Sequence, residues 1–160
     1  AIRFSETDVR PMGRTARGVR GIKLSDGFRM IALIIPDSDR CILSVSENGY
    51  GKRTECDEFP LYGRGGQGVI AMQASERNGP IVGAAQVANG DEIMLISDKG
   101  TLVRTRVDEV SIQGRNTQGV RLIRLKDGEK LVGLEAVQDP EKSLPGISES
   151  DSTRVSGENR

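Results

Sequence analysis

Residues 63–69 read GRGGQGV, residues 13–19 read GRTARGV, and residues 114–120 read GRNTQGV. The three stretches stand 50 and 51 residues apart. Gly13, Gly63 and Gly114 correspond, as do Arg14, Arg64 and Arg115, then Gly18, Gly68 and Gly119, then Val19, Val69 and Val120. Self-similarity at a period of this size is the mark of a repeat architecture, because each unit is one supersecondary block that buries its apolar face against its neighbours.

The repeat extends outward from that stretch. Val9, Phe59 and Val110 share one offset, and Arg3, Arg53 and Arg104 share another. CILSVSENGYGKRT (41–54) aligns with EIMLISDKGTLVRT (92–105), and SDGFRMIAL (25–33) resembles KDGEKLVGL (126–134). The chain holds two complete units and one that lacks its beginning, which reads as a piece of a longer protein.

Within a unit, short apolar runs are bounded by Gly, Asn and Asp, the pattern of β-strands and tight turns. The last unit is expected to have strands at 92–97, 101–107, 119–125 and 131–137, with turns at Asp98-Lys99-Gly100 and Asp127-Gly128. Arg104 and Arg106 alternate with Val103, Thr105 and Val107, which suits a strand with one wet face. The middle unit uses 41–46, 50–55, 68–73 and 81–87; the first keeps 1–5, 18–24 and 29–35. No stretch has a helical period. Four short strands in some 50 residues is the signature of a propeller-like blade. The reading is an all-β chain of about two and a half blades: a partial blade over 1–37, then 38–88 and 89–137. Residues 138–160 are rich in Ser, Glu, Asp and Pro and are expected to be a disordered tail.

Composition excludes much chemistry. The 160 residues include no His and no Trp, and Lys plus Arg equals Asp plus Glu at 23 each. Without His there is no Ser-His or Cys-His nucleophile and no His-ligated zinc. No carboxylate pair has acid–base spacing and no Asp/Glu cluster has metal spacing, so no catalytic residue, metal or cofactor is expected. Aromatics are 3%, too few for the stacking platforms of single-strand binders. Cys41 and Cys56 form no CxxC and read as reduced thiols, a metal site or disulfide being the lesser reading. No run approaches the ~18 apolar residues of a membrane span, and AIRFSETDVR lacks the apolar core of a signal peptide. A cytoplasmic protein without membrane contact is expected.

The paired elements SENGYGKRT and EFPLYGRGGQGV, followed by EVSIQGRNTQGV, resemble the C-terminal domain of the A subunit of bacterial DNA gyrase. The resemblance covers about 1–137. It implies a β-pinwheel: four-stranded blades, propeller-like, with a strand exchanged between neighbours. It implies nonspecific binding and bending of duplex DNA on a basic outer rim, in support of negative supercoiling. It also implies protein partners, namely the upstream domains of the same gyrase polypeptide together with the B subunit of an ATP-dependent type IIA topoisomerase. The implied place is the bacterial cytoplasm and its nucleoid. The equivalent domain of topoisomerase IV is an alternative, and a protein-binding β-repeat scaffold is a second. One departure stands out. The family's wrapping box, Gln-Arg-Arg-Gly-Gly-Lys-Gly, is absent, and GRGGQGV at 63–69 is a degenerate echo of it. The resemblance therefore implies DNA contact but not wrapping.

The cations are unevenly spread. Arg10, Arg14, Arg17, Arg20 and Lys23 lie in 9–24 with no acid, and Arg115, Arg121, Arg124 and Lys126 lie in 114–126 with no acid. Residues 63–74 have only Arg64. Lys and Arg that neutralise phosphates supply most nonspecific DNA affinity. The candidate DNA-binding set is those residues with Lys52, Arg104 and Arg106. Two alternatives stay open: a merely solvated surface, and bracing of blades by the recurring Arg14, Arg64 and Arg115 through backbone carbonyls or Glu58 and Glu109. The literal GxGxxG at Gly63, Gly65 and Gly68 leads into a strand rather than a helix, which opposes a nucleotide loop. A shared turn is expected to explain Gly63 and Gly68, with Gly65 incidental.

Overall fold

The structure, a computed structural model, describes residues 1–137. The expected tail at 138–160 lies outside the described residues. Seven strands are described: β1 (Cys41–Ser46), β2 (Tyr50–Glu55), β3 (Ile81–Val87), β4 (Glu92–Ser97), β5 (Leu102–Arg106), β6 (Val120–Arg121) and β7 (Leu131–Val137). They form two antiparallel sheets, ordered β3-β1-β2-β6 and β5-β4-β7. The fold is all-β and propeller-like, as the repeat required.

The same register recurs in both sheets. Hairpin β1–β2 pairs Cys41 with Glu55 and Val45 with Gly51, and β4–β5 pairs Glu92 with Arg106 and Ile96 with Leu102. The third strand of each unit, β3 or β7, returns to pair with β1 or β4, and each pairing shifts register at one place, Val45/Ser46 and Ile96/Ser97. Single 3-10 turns also recur, at Glu6–Asp8, Cys56–Glu58 and Val107–Glu109. Their shortness is why no helical period showed in the sequence.

The strand expected at 119–125 is shorter than expected: only Val120–Arg121 is strand, and it crosses to the preceding unit, in keeping with the exchange that the resemblance implies. There Arg121 pairs with Tyr50 and Val120 with Gly51, and the amides of Leu122 and Ile123 donate to the Gly49 carbonyl at 2.8 and 3.2 Å. One unit earlier, 68–73 is not a regular strand either: Val69 exchanges two hydrogen bonds with Ala1, both 2.7 Å. Parallel bridges Arg3–Leu61 and Arg53–Ile112 repeat the crossing. The middle and last units thus each lend a segment to the unit before it. Of 1–5, only Arg3 bridges, and 18–24 and 29–35 form no strand. The physical reason is pairing: residues 1–40 contain no counterpart of β1 or β4 on which 29–35 can lie, and Phe28, Met30, Leu33 and Ile35 are exposed.

The core runs through both sheets, with Leu43, Val45, Val87, Ile93, Leu95, Val107, Val110, Ile123 and Leu131 buried together. Each fully buried aliphatic chain of this kind contributes roughly 1.5–3 kcal/mol. The sheets pack where a side chain is missing: a Cβ on Gly83 of β3 meets Leu134 Cδ2 of β7 at 2.9 Å. At the exchange, Gly119 has φ +78°, and a Cβ there meets the Gly51 carbonyl oxygen at 2.6 Å. Only glycine turns the chain left-handed while letting the backbones approach so closely. Gly18 and Gly68 share that conformation with φ +80° and +71°, whereas Gly63 does not have positive φ and Gly65 does, at +86°. Gly65 therefore adopts the left-handed conformation in its turn, and it is Gly63 that is conformationally ordinary. β2 is buried along Tyr50–Thr54 because the next unit covers it, while the edge strand β5 alternates exposed and half-buried.

Candidate nucleic-acid interface

Two families of recurring arginine brace one unit to another. Arg3 donates to the carbonyls of Cys56 and Phe59 at 3.0 and 3.2 Å. Arg53, its repeat partner, donates to the Val110 carbonyl at 2.7 Å and to Asn89 Oδ1 at 2.6 Å. Arg64 donates to the carbonyls of Asp8 and Arg20 at 3.2 and 2.6 Å, and Arg115 to those of Glu58 and Ile70 at 3.0 and 2.8 Å. The acceptors stand one repeat apart, so the same brace is made twice. The rigid fork of guanidinium suits it to two carbonyls at once. Arg14, in the same place in the first unit, is exposed and makes no such bond among the described residues.

Lys52 is fully buried. Its ammonium donates to the carbonyls of Gly114, at 2.7 Å, and Arg115, at 2.5 Å, and to Thr117 Oγ1 at 3.1 Å. Burial, helped by the Arg115 charge, pushes its pKa down to about 8. Lys52 thus engages its three donors inside the seam and presents none to a ligand. Arg104 pairs with Glu92, which lies diagonally across on β4, two residues from Arg104's register partner Met94, and Arg106 is exposed. Cys41 and Cys56 are both free thiols, and the buried Cys56 Sγ donates to the Arg40 carbonyl at 3.1 Å.

The remaining candidates are exposed. Arg10, Arg14, Arg17, Arg20 and Lys23 line one segment, and Arg121, Arg124 and Lys126 line another. None of these eight joins an ion pair among the described residues. Arg20 and Arg121 hold one repeat position, and Lys23 and Arg124 another; the middle unit has Ile70 and Gln73 there. The two cationic segments therefore overlap at the same stretch of the repeat, the one that in the last unit makes the crossing.

The structure adds residues that the sequence reading missed. Tyr50, at the start of β2, is buried, and Arg121 donates to its hydroxyl at 2.7 Å. The guanidinium carbons of Arg77 and Arg121 lie 4.8 and 5.4 Å from the Tyr50 ring centroid, within cation–π range. An open cleft beside them is lined by Arg124, Lys126 and Lys130 as well. Lys130 is already engaged, 2.9 Å from Glu47 Oε1 and 2.7 Å from Asn48 Oδ1. Arg77 follows Glu76 in a turn of the middle unit, so local charge counting cancelled it; only the cross-strand pairing of Tyr50 with Arg121 shows what it joins. Among the described residues no group of His, Cys, Asp or Glu could hold a metal, and no helix is long and apolar enough to cross a membrane.

A family model described as DNA gyrase C-terminal domain, beta-propeller, matches residues 1–35, 42–88 and 91–138. The chain belongs to the DNA gyrase C-terminal domain family. It is 63% identical over 139 residues to the DNA gyrase A subunit of Pseudomonas aeruginosa and 53% identical over 139 residues to that of Escherichia coli. Each match covers 87% of this chain but 15% and 16% of the relatives' lengths, so the chain spans a small part of the curated relatives it matches. A solved DNA gyrase A C-terminal domain superposes with TM-score 0.72 at 32% identity, covering 83% of this chain and 45% of that one. The C-terminal domain of a DNA topoisomerase IV shares the fold, with TM-score 0.78 at 23% identity over 84% of this chain and 42% of that one. The family's three matched segments follow the repeat.

Proposed function

We propose that this gyrase-family domain binds duplex DNA without sequence preference and bends it along the exposed cationic crossings 10–23 and 121–126. The observation that carries the reading is their chemistry and placement: eight Lys and Arg side chains are unpaired with acid among the described residues, and two pairs of them, Arg20 with Arg121 and Lys23 with Arg124, hold equivalent places in two units. Such cations bind phosphates by releasing counterions, which needs no base contact. A curved row of them offsets the cost of bending a 20–30 base-pair site, on the order of 1–6 kcal/mol.

On this reading the domain is an accessory of gyrase. It works with the upstream domains of its own polypeptide, and through them with the gyrase B subunit, in supporting negative supercoiling. DNA cleavage and ATP hydrolysis belong to other parts of that enzyme, and the domain needs no cofactor of its own. Its place is the bacterial cytoplasm, at the nucleoid.

Binding of the 160-residue chain to two unrelated duplexes, measured from low to moderate salt, tests the reading. The expected result is equal affinity for both and a log–log slope of several units, about 0.9 per phosphate contacted. Affinity that ignores salt, or no binding at low salt, overturns it.

A further inference from the structure

The Tyr50 cleft is a built feature rather than a random gathering of charge. Its two guanidiniums come from different units: Arg77 from the turn before β3, and Arg121 from the strand that the last unit lends to β2. Tyr50 orients both. Its ring carries them at 4.8 and 5.4 Å, and its hydroxyl holds Arg121 at 2.7 Å. The two guanidiniums, Arg77 first and then Arg121, hold the Tyr50 hydroxyl below its usual pKa, the signature of a locally positive field. Arg124 and Lys126 extend the cleft with side chains free of ion pairs among the described residues.

The acids nearby offset little of this charge. Glu129 also lines the cleft, but its carboxylate is engaged, accepting from Ser97 Oγ and the Lys126 amide, and Glu47 is taken by Lys130. Asp127 is the remaining carboxylate on the cleft. Two pre-oriented forks facing one opening are suited to the oxygens of a phosphate. No other seam repeats the arrangement: the counterparts of Arg77 are Gly27 and Gly128, and the middle unit has Ile70 in place of Arg121.

We propose that the cleft between Arg77 and Arg121 seats a backbone phosphate of duplex DNA, and that this contact fastens the exchanged strand β6 onto β2. The inference rests on the DNA-binding reading above and adds a consequence to it. A phosphate held by residues of two units stabilises the arrangement in which those residues meet, and any ligand that prefers the closed seam shifts the seam toward closure. DNA is then a clamp across the seam as well as a cargo on the rim.

The test uses the whole chain, the variants Arg77→Gln and Tyr50→Phe, and two readouts. Arg77→Gln alters an exposed turn, and Tyr50→Phe keeps the ring while releasing Arg121, so each preserves the fold; melting curves check this. In Arg77→Gln the salt slope of duplex binding is expected to fall by about 0.9, with affinity near 0.15 M salt weaker by about fivefold. Saturating duplex is expected to slow amide exchange at Leu122 and Ile123 in the unaltered protein, less in Tyr50→Phe and least in Arg77→Gln. Inorganic phosphate at the same phosphate concentration is expected to leave exchange unchanged. Equal protection by free phosphate overturns the assignment to DNA. Duplex that binds with an unchanged slope in Arg77→Gln, or with unchanged exchange at Leu122 and Ile123, overturns the seat and leaves the rim reading standing. Failure of the unaltered protein to bind duplex at all removes both.

Discussion

Asn78 and Glu129 fill the same turn in successive units: Asn78 Oδ1 accepts from the Ser75 amide at 2.7 Å, and Glu129 Oε2 accepts from the Lys126 amide at 2.9 Å. Both are buried. Asn78 completes the site as a neutral amide, donating to the carbonyls of Gln73 and Gln118 at 2.8 and 3.2 Å. Glu129 completes it as an anion that also accepts from Ser97. One turn geometry is thus held by uncharged chemistry in one unit and charged chemistry in the next.

The difference makes the last unit acid-sensitive. Hydrogen bonds from Ser97, Thr101 and the Lys126 amide hold the Glu129 pKa near about 2, below the ordinary 4.5. A carboxylate favoured in the fold contributes stability that is complete above about 4.5 and is lost as pH falls toward about 2. Glu129→Gln is expected to melt lower than the unaltered protein at neutral pH and to lose less between these two pH values. Parallel acid-titration melts check it; identical pH profiles would count against this role for Glu129.

Lys52 predicts the opposite limb of the pH curve. Its folded pKa of about 8 lies below the ordinary 10.5, so between these values the unfolded chain binds the extra proton. Stability from this group therefore rises with pH across that window, and the charge penalty is present in full below it. Lys52→Met removes the rise. At neutral pH it is also expected to cost roughly 2 kcal/mol, the size of a lost hydrogen bond to a charged group. Urea midpoints from pH 7.5 to 10.5 decide both points.

Gly119→Ala forces a Cβ against the Gly51 carbonyl at a positive φ. Left-handed backbone with a side chain costs about 1–2 kcal/mol per residue, and the clash adds to it, so the loss is expected to exceed ~2 kcal/mol. Fast amide exchange at Leu122 would report the opened crossing. Gly13→Ala is the control: a Cβ there has nothing within 4 Å, and the change is expected to stay within about 0.5 kcal/mol.

Replacing Arg14, Arg17 and Arg20 by Ala is expected to flatten the salt slope of duplex binding by at most ~2.7, the value if all three touch phosphate. Affinity should fall equally for unrelated duplexes. Arg64→Ala provides the contrast, because Arg64 braces the carbonyls of Asp8 and Arg20. It is expected to lower the melting temperature. A triple variant that folds and keeps the full slope takes the first crossing off the DNA path.

Much of the fold was legible because it is local. β1, β2, β3, β4 and β7 run where alternation and turn residues placed them, and the Asp98-Lys99-Gly100 turn closes with Gly100 donating to Ser97 at 3.1 Å. The exchange is not local. Nothing in GRNTQGVRL says that Val120 pairs with Gly51 rather than with its own unit; that depends on which sheet has an open edge. The same limit applies to the cations. Lys52 and Arg53 follow Gly51 in an apparently polar strand, yet both are buried because the next unit folds over them. Exposure on 10–23 and 121–126 was readable from runs without acid. Arg77 was not, since its partner Tyr50 is distant in sequence and its neighbour Glu76 masks its charge.

The lent segment has a consequence for how such a chain can change length. Both described junctions join one unit to the crossing stretch of the next through the same pair of arginine forks and the same left-handed glycine. Excising one full period, from any point to its counterpart 50 or 51 residues on, reunites donor and acceptor halves that already fit. Excising any other length orphans one half at each side of the scar. Genetic gain and loss in this architecture is therefore quantised: blades are traded whole, like links of a chain, and the point of crossover is free to fall anywhere within the link.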